Sequence, residues 1–63
     1  MSLEKYVEEI LGCISTAYYS GERLDTCTIY TWNGIVECAK VAEMISKEEY
    51  DIFIFELAKI KER

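Results

Sequence analysis

The groups in this chain that could do chemistry are twelve carboxylates, three thiols and five phenols, with no histidine among 63 residues. Without an imidazole, acid/base work needs two carboxylates held on one substrate, or a carboxylate beside Tyr or Cys. The densest carboxylate group, Glu48, Glu49 and Asp51, falls on neighbouring helix positions that fan around the axis, so the three cannot converge on one point. Helix capping and a solvated face account for them. A nucleophilic thiol needs a base or a cation to lower its pKa, and Cys13, Cys27 and Cys38 have no histidine to serve them. Nor do they form a C-x-x-C pair, so zinc is not expected. Gly12, Gly21 and Gly34 share no phosphate-loop spacing and no G-K-[ST] follows them. The sequence therefore points away from an enzyme, and it implies no cofactor and no metal.

Composition narrows the partners. The net charge is −5 and the pI near 4.5, and eleven of the twelve acids precede Lys59. Such a surface repels phosphate backbones and anionic membranes, so neither nucleic acid nor a membrane is an expected direct partner. No apolar run approaches the ~20 residues that span a bilayer, and no charged, then apolar, leader opens the chain. The expectation is a cytoplasmic protein whose cysteines are small buried hydrophobes in a reducing compartment. One domain, residues 1–63, is all the length allows, and a chain this short buries only about 60% of its unfolded surface. Small domains commonly gain stability from disulfides, metals or self-association, and here only the last is in view.

The elements that would position any site follow from spacing and caps. Leu3, Tyr6, Val7, Ile10, Leu11, Ile14 and Tyr18 recur at helical spacing, with Ser2 before them and Ser20-Gly21 after. They predict a helix over 3–19, in which Gly12 is a weak point or a place of close backbone approach. At the other end, Ser46 and Glu49 form a capping-box pattern flanked by the apolar pair Ile45 and Tyr50, and Lys59, Lys61 and Arg63 suit the negative end of a helix dipole. They predict a helix over 47–62. Met44 to Tyr50 also resembles the helix-break-helix junction of many short helical proteins of phages and low-GC bacteria. The resemblance covers seven residues and its capping logic recurs without common descent.

The middle supports two architectures. Thr26 to Trp32 is β-branched and aromatic and runs into Asn33-Gly34, the local signature of a hairpin turn, which would make the fold α+β. The alternative is a helix over 26–44 capped by Asp25, with Ile29, Trp32, Val36 and Ala39 on one stripe. A lone two-stranded hairpin is marginal in water, which favours the helix. The expected fold is all-α: a compact three-helix domain that associates with itself.

Excess apolar surface on the third helix carries the functional expectation. Tyr50, Phe53, Ile54, Leu57, Ala58 and Ile60 gather on one stripe, whereas Ile52 and Phe55 point the other way. One core cannot absorb both faces. Ile52 and Phe55, followed by Trp32 and Tyr19, are the expected interface residues of a homodimer or a protein complex, because aromatic residues anchor such contacts. The function expected is a small acidic interaction module, an intracellular regulator or inhibitor of the phage or mobile-element type, binding a partner with a basic surface. A one-sided array of carboxylates such as Glu4, Glu8, Glu48 and Asp51 would let that surface mimic nucleic acid. The alternative is a protein that sequesters a small ligand or nucleotide in a Tyr-lined pocket at a subunit junction, with Tyr18, Tyr19 and Arg23 as its binding residues.

Overall fold

The structure is a computed structural model that describes residues 2–63. Three helices run in order, α1 over Leu3–Ser20, α2 over Thr26–Val41 and α3 over Lys47–Lys61, and no strand occurs among the described residues. Each helix packs on the other two. The Cα radius of gyration is 11.0 Å, close to the ~11 Å of a well-packed chain this long.

Helix starts follow the local chemistry. The Ser2 hydroxyl accepts from the Lys5 N–H at 3.1 Å, and Asp25 accepts from the Thr28 N–H at 2.7 Å. Ser46 and Glu49 close both bonds of the capping box, at 3.1 and 2.9 Å. Helix α1 ends where Gly21 enters the left-handed region at φ 76°, which lets Glu22 N–H reach Ala17 O and Gly21 N–H reach Tyr18 O, the paired bonds of a Schellman motif.

Helix wins in the middle because the core is tertiary. Ile29, Val36 and Ala39 are buried against the other helices, and Trp32 and Ile35 pack beside them, which a two-stranded ribbon could not arrange on one side. The end of α2 differs from expectation, since it stops at Val41, three residues before Met44. Glu43 takes φ 59°, Met44 N–H bonds Ala39 O at 2.8 Å and Glu43 N–H bonds Lys40 O at 3.1 Å, so a second Schellman motif forms without glycine. The reward is apolar, because the turn drops Met44 and Ile45 onto the core.

The main core joins Val7, Leu11, Ile14, Val36, Ala39, Ile45 and Leu57, and a second cluster holds Ala17, Ile29 and Ile60. The thiols and the edges of the apolar stripes depart from expectation. Leu3 and Tyr6 are exposed in the first turn of α1, and Ala58 is exposed on the edge of the α3 stripe. All three cysteines are free and exposed. Cys13 and Cys38 each lie one residue, roughly 100° of rotation, from the buried Ile14 and Ala39, and a helix with only two neighbours buries a narrow stripe. A Cβ on Gly12 would meet nothing within 4 Å, which excludes a close backbone approach and leaves Gly12 as a weak point of α1.

Arg63 does more than offset the dipole of its own helix. Its guanidinium donates to the carbonyls of Ala17, Tyr18 and Glu22 at 3.1, 2.7 and 2.8 Å, which caps the C-terminal end of α1, a helix with no basic residue in its last turn.

Candidate functional site

The anchored end of α1 and the outer flank of α3 define a shallow groove of about 420 Å³ lined by Tyr18, Tyr19, Asp51, Ile52, Phe55 and Glu56. Helical geometry assembles it. Ser15, Tyr18 and Tyr19 stand at i, i+3 and i+4 on α1, and Ile52, Phe55 and Glu56 repeat that spacing on α3, so each trio projects from one face. The Arg63 cap holds the last turn of α1 against α3.

The walls are aromatic. Tyr18 meets Tyr19 edge to face with centroids 5.0 Å apart and meets Phe55 at 6.2 Å. Two cations already lie over these rings, Lys59 Nζ at 5.4 Å from the Phe55 centroid and the Arg63 guanidinium carbon at 5.7 Å from that of Tyr18. Ile52 and Phe55 remain 56% and 51% exposed and Tyr19 81%, so the groove presents its apolar surface to solvent.

Glu56 forms the acidic side of the groove and is 3% exposed, the one charged residue in the core of this molecule among those described. Its Oε1 accepts from the Ser15 hydroxyl at 3.0 Å, bridging α3 to α1. The ion pairs among the described residues, Lys47–Asp51 and Lys59–Glu62, leave it without a counter-ion.

The sequence-predicted residues divide. Ile52, Phe55 and Tyr19, named for an interface, and Tyr18, named for a ligand, share this one groove. Trp32 does not join them: it is half-buried against the main core and borders a different hollow with Glu9, Gly12, Cys13 and Leu24. Arg23 sits exposed in the α1–α2 turn and does not line the groove. Glu56 escapes sequence reading because an acid amid apolar residues is ordinarily the wet side of a helix. Its one signal is rotational, since it lies about 100° from Leu57, on the flank of the buried stripe that turns toward α1.

The groove offers apolar area, ring faces and two carboxylates, Asp51 and Glu56. No known protein family, curated protein or solved structure matches the chain.

Proposed function

We propose that this protein is a non-enzymatic interaction module, a small cytoplasmic regulator or inhibitor that docks through the α1–α3 groove onto a protein partner with a basic surface. One observation carries the reading. Phe55, Ile52, Tyr18 and Tyr19 converge from two helices into one open groove, which gathers three of the seven large hydrophobic side chains exposed among the described residues. Aromatic side chains gathered in this way supply large contact area at low entropic cost. The net charge of −5 favours a basic partner by steering its approach.

Self-association is the second reading, favoured by the same exposed Ile52 and Phe55. Two copies joined through α3 would cover each other's grooves as a homodimer or larger assembly. A Tyr-lined ligand pocket at a subunit junction draws on Tyr18 and Tyr19 but not on Arg23, which stands apart.

The test uses Phe55→Glu. Position 55 is half-exposed, so the variant keeps its helical circular dichroism, and any docking through the groove is lost. Light scattering reads self-association and affinity capture from a host lysate reads a partner. A variant that retains both the mass and the captured protein of the parent removes the groove from any role in docking.

A further inference from the structure

We infer that the α1–α3 groove is a receptor for one basic side chain, a lysine or arginine presented by the protein partner, with the Glu56 carboxylate as its counter-charge and Tyr18, Tyr19 and Phe55 as walls for its methylene stem. The inference rests on the docking reading above and adds the chemistry of the occupant.

The argument begins with a burial that the fold alone does not explain. An ionised carboxylate loses its hydration when buried, and the loss is recovered only by a cation or a full set of donors. Glu56 is 97% buried, taking its 3% exposure as the remainder, with one donor, Ser15, on Oε1. Among the described residues nothing donates to Oε2. No fully buried side-chain oxygen of the described residues lacks a partner either, which leaves Oε2 in touch with solvent. The opening that Glu56 lines is the groove.

The neighbouring charges are already engaged. Asp51, the other carboxylate of the groove, holds Lys47 at 3.2 Å. Lys59 turns to Glu62 and to the Phe55 ring, and Arg63 is spent on three carbonyls of the α1 end. Among the described residues no cation pairs with Glu56. Meanwhile the rings show what they accept, because Lys59 and Arg63 sit over Phe55 and Tyr18, and among the described residues no cation covers the exposed ring of Tyr19. A lysine or arginine entering from solvent would lay its stem on these rings and its charge on Oε2. A hydrophobic plug would leave the carboxylate sealed and unpaired, which the buried position makes unfavourable.

The experiment is a two-dimensional NMR titration of the full chain at fixed ionic strength. The probes are N-acetyl-arginine methylamide, N-acetyl-lysine methylamide and the neutral N-acetyl-citrulline methylamide. The cationic probes are expected to give saturable shifts confined to Tyr18, Tyr19, Ile52, Phe55 and Glu56, and the citrulline probe none. Glu56→Gln, which keeps an acceptor for Ser15, is expected to weaken binding at least tenfold. Equal response to citrulline, uniform non-saturating shifts, or unchanged binding by E56Q overturns the inference. Should E56Q unfold, Tyr19→Ala, at a position 81% exposed, must still weaken the cationic probes severalfold, and failure to do so counts against the receptor. Silence from the probes, alongside a captured partner lost in F55E, removes this inference and leaves the docking reading standing. Saturable probe binding with a captured partner indifferent to F55E assigns the groove to free amines and overturns the partner's role. A probe-driven fall in mass from dimer to monomer assigns the occupant to a second copy and overturns it likewise.

Discussion

Replacing Glu56 by leucine should make this protein more stable, and the size of the gain can be worked from its surroundings. Three effects compete. Removing a carboxylate that is 3% exposed relieves the cost of an incompletely satisfied buried polar group, about 1–3 kcal/mol. Leucine adds about one buried carbon's worth of apolar area beyond the methylenes Glu56 already hides, ~0.8 kcal/mol. Against these stands the bond from Ser15 at 3.0 Å, which is charge-assisted and contributes about 1.5–3 kcal/mol. Ser15 is half-buried, so its hydroxyl can turn to water or to its own helix and the loss falls at the lower end. The balance favours Leu by about 1–2 kcal/mol, and at roughly 4–8 °C per kcal/mol for a domain this small the midpoint should rise by about 5–15 °C. Urea unfolding followed by far-UV circular dichroism measures it, with an unchanged slope showing that the unfolded state is unaltered. Loss of more than about 1 kcal/mol in Glu56→Leu, matched by Ser15→Ala and coupled to it in a double-mutant cycle, would refute the reasoning: the pair would then be a net stabilising strut, and the case for an unanswered charge would weaken with it.

Three further expectations follow from the helix ends. Glu43→Gly should stabilise by about 1 kcal/mol, because φ 59° is costly for any side chain and free for glycine; a drop in the urea midpoint would show that the Glu43 side chain does something the turn needs. Arg63→Ala should cost about 1–2 kcal/mol, after discount for its exposure, through the three carbonyl bonds at the end of α1; unchanged amide exchange at Gly21 and Glu22 would contradict that cap. The Asp25 carboxyl is held below its ordinary value of 3.8 by hydrogen bonds from the Thr28 side chain and then the Thr28 backbone N–H. A depressed folded value means that its share of stability is complete above the unfolded value and is lost as pH falls through the folded one. Wild type should therefore lose stability below about pH 4 more steeply than Asp25→Ala, and parallel pH profiles would exclude the cap as the cause.

The ends of the helices were the most legible part of the chain. Ser2, Asp25 and Ser46 each accept from the amide three residues on, because capping is a matter of local reach and needs no distant partner. Glycine at 21 stops α1 for the same reason, whereas the stop at Glu43 left no mark in residue type. There the chain accepts a strained backbone so that Met44 and Ile45 can fold onto the core, a benefit visible only once α1 and α3 are in place.

The groove was half legible. The outward placement of Ile52 and Phe55 follows from 3.6-residue periodicity on one helix, and both are exposed. That Tyr18 and Tyr19 would face them, and Trp32 would not, depends on how α1 and α2 rotate about α3. The cysteines show the same limit, since apolar neighbours in sequence do not bury a thiol that lies off the contact line.

Sequence alone, then, determined where helices begin and how much apolar surface α3 carries in excess, since both depend on contacts within a few residues. Whether Thr26 to Val41 would coil or pair as strands, and whether Glu56 would meet water or Ser15, was decided by packing, because burial is a property of what the neighbouring helices bring and no residue carries that information by itself.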